Sequence, residues 1–348
     1  VKPALQSVTV GTPIPVADNN GDTWMPAWTR DGSLFSAAND TRGFHAISAS
    51  ANVMFSEIIG ADPRALTGRT VNVMSDYRYH LEEQPDGCMW KTSGCLALDG
   101  ALYLVVARHT YGEKSGDPLR RQTARDASII RSLNAGRTWL RAAQDNEDAP
   151  MFPGSRFATP YFVNYGQEGR EAVADASDLY VYAHANNGFW DSGDDVILGR
   201  VRRSHLPRLQ GGDWLYFTGG EGRADASWSP DVNAAQPVLA RKGRLGMSGA
   251  TYLPAQKCYF LIGWYYAAGG GKMPEAYLET RWDFYTAPHP WGPWTPIGSH
   301  TWRPQGFYCP GICPKFTSPD GKTIYAVTAG DWNNPDFYKL TLVPLTLD

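Results

Sequence analysis

One unit recurs five times along the chain: a turn, a strand opening on Leu-Tyr or a similar pair, then a strand that closes on Trp or another aromatic. Its strands read "DGSLFSAAND", "DGALYLVVARHTY", "SDLYVYAHANN", "QKCYFLIGWYY" and "DGKTIYAVTAGDW", with Leu34, Leu102, Leu179, Cys258 and Ile324 spaced 66 to 79 residues apart. Downstream partners such as "ASIIRSLNAGRTW" and "LETRWDFYTAPHPWGPWTPI" supply the outer strands, with Trp139, Trp214 and Trp294 at matching places. Helical periodicity is scarce, so each unit predicts a small antiparallel sheet. Five such sheets around an axis make an all-β, five-bladed β-propeller. The opening segment "SVTVGTPIPV" is expected to complete the last sheet and close the ring. No linker divides residues 1–348, so one propeller domain is expected; a two-sheet sandwich is the alternative, which the regular repeat disfavours.

Composition narrows the function. With 43% hydrophobic and 13% aromatic residues the chain is a folded one rich in strand formers. Its net charge is −3 and it has no basic run able to follow a phosphate backbone, which argues against nucleic acid. No apolar stretch approaches the roughly 20 residues that span a bilayer, and the N-terminus lacks a signal-peptide pattern. The expectation is a soluble monomer, secreted or periplasmic, with any export signal already removed. Cys88 with Cys95, and Cys309 with Cys313, are close enough to close small disulfide loops in an oxidising compartment, while Cys258 reads as a buried strand thiol. A four-cysteine zinc site is the rival, without the usual knuckle spacing.

The stretch "NNGDTWMPAWTRDGSLFSAAND" sets Asp22 and Asp40 symmetrically about Asp31-Gly32. Asp-Gly between alternating apolar residues predicts a type I′ hairpin, with Thr23–Arg30 and Ser33–Asn39 as its strands. Both carboxylates then sit at one end of one hairpin, and neighbouring strands are only about 5 Å apart.

A propeller gathers the start of each first strand and the end of each second strand on one face. The first-strand starts are Asp22, Lys91 to Ser93, Phe157 to Thr159, Met247-Ser248 and Tyr308; the second-strand ends are Asp40, His109, His184, Trp264-Tyr265 and Asp331. Taken singly, an Asp caps a turn and a His or Trp packs in a core more often than it serves a site. Their convergence from five segments is what points to function. Paired carboxylates in an aromatic funnel suit glycoside chemistry, one protonating the leaving oxygen while the other attacks the anomeric carbon or activates water. The expected roles are Asp22 as nucleophile or base and Asp40 as acid. Trp24, Arg42, Lys91, His109, His184, Trp264, Tyr265, Tyr308 and Asp331 are the expected substrate contacts. No cofactor is required; a calcium or sodium ion in the funnel would be structural, although the chain has no dedicated calcium loop.

The segments "GDTWMPAWTRDGSLFSAAND", "WKTSGCLALDGALYLVV", "SLNAGRTW", "FATPYFVNYGQ", "DLYVYAHANN", "DDVILGRVRRSHL" and "APHPWGPWTPI", spanning Gly21 to Trp294, resemble in that order the domain of unknown function numbered 4185. That group is similar to five-bladed propeller glycosidases, and some members form family 183 of the glycoside hydrolases, endo-D-arabinofuranases. The resemblance implies a propeller acting on carbohydrate, with Asp22 and Asp40 at the places of the acidic pair. "SLNAGRTW" also resembles the Asp-box turn of other propellers, a structural element. The chain departs from the family pattern at "NDTRGF", where a glycine-rich "GDG" is usual, and in the insertion carrying His80 and "EEQPDG".

Two other functions fit the same residues. A lyase acting on a uronate would need a cation for the carboxylate and a His or Tyr for the C5 proton, drawn from Arg42, Lys91, Arg108, His109, His184 and Tyr265. A propeller that only binds glycans would use the aromatics and acids as contacts.

Overall fold

A computed structural model describes residues 5–79, 85–111, 122–171, 179–223, 227–268 and 277–348. Five antiparallel sheets follow one another along the chain. Blade 1 is Asp22–Trp28, Leu34–Thr41, Ala51–Ile59 and Thr67–Asn72; blade 2 is Met89–Leu98, Ala101–Thr110 and Thr123–Ser132. Blade 3 begins with Tyr161–Phe162, Tyr180–Ala185, Gly193–Arg202 and Trp214–Phe217 and carries two further strands, Trp228–Ser229 and Leu239–Leu245. Blade 4 is Thr251–Leu253, Cys258–Ala268, Tyr277–Ala287 and Thr295–Trp302. Blade 5 is Gly311–Ile312, Thr323–Ala329 and Leu340–Leu347, and its outer strand pairs with Val8–Val10 and Ile14–Pro15 from the other end of the chain. The five-bladed propeller expected from the repeat is therefore the fold, and the opening segment closes the ring. Among the described residues one six-residue α-helix occurs, Ala143–Asp148, and no helix is long and apolar enough to cross a membrane.

The aromatic repeat positions are the contacts between blades. Trp139 meets Phe55 of blade 1 edge-on at 5.0 Å, and Trp294 of blade 4 meets His184 of blade 3 at 5.8 Å. Trp214 packs on Phe152 and Phe157, in the connection from blade 2. Truncating such a ring costs about 3–5 kcal/mol, which explains the spacing at which the sequence repeats them. The turn at Ser132–Trp139 is structural: Ser132 Oγ accepts from the Gly136 N–H at 2.9 Å and Asn134 Oδ1 from the Thr138 N–H at 2.9 Å. Near the axis the first strands pack tightly; a Cβ on Gly94 would lie 2.7 Å from the Pro160 carbonyl oxygen, which already accepts the Gly94 N–H.

Two local expectations are corrected. The hairpin at Asp31-Gly32 is longer than a two-residue type I′ loop, because only Gly32 takes a positive φ, of 88°. The Gly32 N–H bonds to the Thr29 carbonyl and the Thr29 N–H to the Ser33 carbonyl, so a four-residue turn with a glycine bulge joins Trp28 to Leu34. The cysteines form no disulfides: all five are buried thiols. Cys95 lies inside the extended strand Met89–Leu98, which carries it far from Cys88 at about 3.3 Å per residue. Cys309 and Cys313 flank the short strand Gly311–Ile312, which likewise holds them apart.

Candidate active site

In an undistorted ladder, successive side chains face opposite sides. Asp22 is paired with Asn39, so Asp40 ought to face away from it. The chain prevents this with two distortions: the pairing slips between Asp22 and Met25, and Thr23 and Asp40 adopt left-handed backbones with φ of 56° and 47°. A positive φ at a β-branched residue is a true outlier, of the kind that costs about 1–3 kcal/mol and concentrates at functional sites. Its result is that both carboxylates open into one cavity of about 500 Å³.

Every blade contributes to that cavity. Blade 1 supplies Asn20, Asp22, Asp40 and Ser50; blade 2 supplies Lys91, His109, Tyr111 and Gln122. Trp190 comes from blade 3, Tyr266 from blade 4, and Tyr308, Trp332 and Tyr338 from blade 5. Tyr266 and Trp332 meet at 5.3 Å, and Tyr308 and Trp332 at 5.5 Å, forming an aromatic wall.

The two carboxylates have different surroundings. Asp22 Oδ2 accepts hydrogen bonds from the Tyr308 hydroxyl at 2.6 Å and the Tyr338 hydroxyl at 2.9 Å, and Oδ1 accepts one from Thr23 at 2.9 Å. Burial, and after it the charge of Asp40, raise the Asp22 pKa above its ordinary value, against the opposing pull of Lys91 and the two phenols. Asp40 instead forms an ion pair through Oδ1 with Lys91 and accepts the Tyr111 hydroxyl on Oδ2 at 3.1 Å. An adjacent cation favours the ionised carboxylate. Burial, helped by Lys91, lowers the His109 pKa to about 3, so the ring is neutral; its Nε2 is 2.7 Å from Gln122 Oε1, and it is packed between Tyr111 and Trp190.

Of the residues singled out in the sequence, Asp22, Asp40, Lys91, His109 and Tyr308 meet in the cavity, and the other six lie outside its lining. Trp24 is fully buried, its indole N–H bonded to the Gly21 carbonyl. Arg42 is exposed and reaches the Ser48 carbonyl. His184 is buried between blades, with Nε2 2.8 Å from the Pro290 carbonyl oxygen. Trp264 lies behind the aromatic wall, donating to the Met247 carbonyl. Tyr265 points to the other face of its strand, toward Arg244. Asp331 caps a turn by accepting the Asn333 N–H. His80 lies outside the described residues.

Asn20, Ser50, Tyr111, Gln122, Trp190, Tyr266, Trp332 and Tyr338 were not foreseen as site residues. Alternation offered a signal for two of them: Tyr111 is two residues beyond His109, and Tyr266 two beyond Trp264, each on the same face. Among the described residues no three His, Cys, Asp or Glu side chains come together, and the two cavity carboxylates are engaged by Lys91 and the phenols.

No protein-family model matches the chain, and no curated protein does. Solved structures do match in fold. A candidate hydrolase from Bacteroides ovatus superposes with a TM-score of 0.57 at 14% identity, over 95% of this chain and 86% of its own. A protein of unknown function from Dyadobacter fermentans gives 0.51 at 10% identity, over 98% and 100%. A xylan β-1,4-xylosidase from Bacillus halodurans gives 0.49 at 10%, over 96% and 54%. At such identities the likeness establishes the propeller fold, and the chemistry has to be argued from the cavity.

Proposed function

We propose that the protein is a glycoside hydrolase with Asp22 as general acid and Asp40 as the carboxylate that attacks the anomeric carbon or deprotonates water. The observation that carries this reading is the contrast between the two acids in one cavity. Asp22 is buried beside a second carboxylate, which favours its neutral form, whereas Asp40 is paired with Lys91. Glycosidases need their two carboxyl groups in opposite protonation states. This assignment exchanges the roles expected from the sequence. Asp22 would give its proton to the glycosidic oxygen as the bond to the anomeric carbon breaks. Trp190, Tyr266 and Trp332 offer faces on which a sugar ring can stack.

The resemblance to endo-D-arabinofuranases makes arabinofuranosyl linkages the first to try. With this reading go a carbohydrate partner, action as a monomer and a secreted or periplasmic location. The uronate lyase is disfavoured because Lys91, the one cation lining the cavity among the described residues, is already committed to Asp40. The test is to incubate wild type, Asp22→Asn and Asp40→Asn with arabinan, arabinogalactan and other polysaccharides, reading reducing ends and ultraviolet absorbance. New reducing ends without a chromophore, lost in both variants, are the expected result. A chromophoric product, or undiminished turnover in either variant, overturns the assignment.

A further inference from the structure

Asp22 is held from both sides of the seam where the ring closes. Thr23 belongs to blade 1; Tyr308 and Tyr338 belong to blade 5, separated from Asp22 by 286 and 316 residues. The backbone on both sides of the contact is distorted: Thr23 has φ 56°, and Phe307 and Cys309, flanking Tyr308, have φ 52° and 48°. Three left-handed non-glycine residues around one carboxyl group mark a contact that the rest of the fold enforces.

The hydrogen bonds are unevenly divided. A carboxyl oxygen offers two lone-pair sites, and on Oδ2 both are taken, by the Tyr308 and Tyr338 hydroxyls. Oδ1 has one contact, with the Thr23 hydroxyl, which can rotate to accept from a carboxylic acid or donate to a carboxylate. Resting on the reading of Asp22 as the acid, we infer that Tyr308 and Tyr338 are positioning residues that confine its transferable proton to Oδ1. In the reaction the proton leaves Oδ1 for the glycosidic oxygen while the bond from that oxygen to the anomeric carbon breaks. The leaving sugar departs as an alcohol, and Asp40, or a water it deprotonates, forms the new bond at that carbon. Asp22 is left as a carboxylate already provided with three donors. The two phenols therefore have a second effect: they stabilise the form that exists after proton transfer, so that a buried acid can release its proton.

The groups facing Asp22 are Asp40 from its own blade, Lys91 of blade 2, Tyr308, Tyr338 and Cys309 of blade 5, and, more remotely, Tyr111 and Tyr161. Burial raises the pKa of each of these phenols and of the thiol, so they stay neutral while Asp22 titrates. Removing either phenol of the pair takes a donor from the carboxylate and leaves the opposing charges unchanged.

The test compares wild type with Tyr308→Phe and Tyr338→Phe by two readouts. The first is a carbon-13 carboxyl NMR titration of the free protein, with the Asp22 signal assigned by its loss in Asp22→Asn. The second is the pH profile of kcat on whichever polysaccharide is cleaved. The Asp22 midpoint is expected to rise by about one unit in each variant, with the alkaline limb of the profile rising in parallel and kcat falling about 10- to 100-fold. A role limited to packing would lower kcat and leave both midpoints in place, and that result in both variants overturns the inference. If wild type cleaves nothing, the hydrolase reading falls while the titration still decides whether the phenols govern the Asp22 proton.

Discussion

Asn39 and Thr92 clamp blades 1 and 2 together at the edge of the site. The Asn39 Nδ2 group donates to the Thr92 carbonyl at 3.1 Å, and the Thr92 N–H and hydroxyl both donate to Asn39 Oδ1, at 2.9 and 3.0 Å. Asn39 precedes Asp40 and Thr92 follows Lys91, so the clamp sets the position of the ion pair. Asn39→Ala would leave a buried N–H and a buried carbonyl unsatisfied, at a cost of about 1–3 kcal/mol each. The expected outcome is a lower urea midpoint together with reduced kcat. A destabilised variant with full kcat would show that the ion pair does not depend on the clamp.

Lys91 neutralises Asp40 in a largely buried setting, with side-chain exposures of 3% and 13%. Lys91→Met leaves that carboxylate uncompensated, which costs about 3–5 kcal/mol when a buried pair loses one partner. Without the cation Asp40 holds its proton more tightly, so the acid limb of the kcat/KM profile is expected to move to higher pH. Adding Asp40→Asn to Lys91→Met should restore much of the stability and none of the activity, read by denaturant titration and reducing-end assay.

The raised pKa of Asp22 links stability to pH with a definite sign. The folded protein holds this proton more tightly than the unfolded chain, whose Asp titrates at about 3.9. The stabilisation is therefore full below the unfolded value and is lost as pH rises through the folded one. Asn at this position carries no such dependence; its oxygen can accept from both tyrosines and its NH2 can donate to Thr23. Asp22→Asn is expected to gain stability relative to wild type as pH rises through that window, while losing at least about 100-fold in turnover. Urea midpoints measured across pH test the first part.

His184 gives an acid-stability prediction separate from the site. Burial lowers its pKa to about 4, and that of His109 to about 3, whereas an unfolded His titrates near 6.5. A depressed folded value means that protons bind the unfolded chain preferentially, so stability falls as pH drops from about 6.5 toward the folded values. By pH 4 each ring contributes a loss on the order of 3 kcal/mol. His184→Gln, which can still donate to the Pro290 carbonyl, should flatten this decline in a plot of melting temperature against pH. An unchanged decline would move the acid sensitivity elsewhere.

The fold was legible because a propeller repeats its packing, so aromatics that meet neighbouring blades recur with the blades themselves. That Asp22 and Asp40 share a cavity was legible for a related reason: a hairpin returns its two ends to one place, and these two carboxylates stand at those ends. One difference traces to the period of a strand. Along Cys258–Ala268 one residue is the difference between facing the cavity, as Tyr266 does, and facing away from it, as Tyr265 does, whereas Asp331 and Trp332 lie in a turn beyond Thr323–Ala329, where no strand period applies. Tyr338 carried no local signal. It stands in an irregular segment just before Leu340–Leu347, and only ring closure brings it to Asp22. The left-handed backbone at Asp40, which turns its carboxyl into the cavity, was equally silent, since Asp tolerates that conformation in many ordinary turns.

Because Asp22 receives its phenols from blade 5, the site comes into being late in the life of each molecule. A nascent chain can fold its opening hairpin early, but Asp22 and Asp40 then stand without the pocket that distinguishes them. Only when the ribosome has released Tyr308 and Tyr338, and the first and last strands have paired, does Asp22 gain the two phenols that set it apart from Asp40. On the hydrolase reading proposed above, turnover would thus be a readout of topological completion, absent from any partly assembled ring.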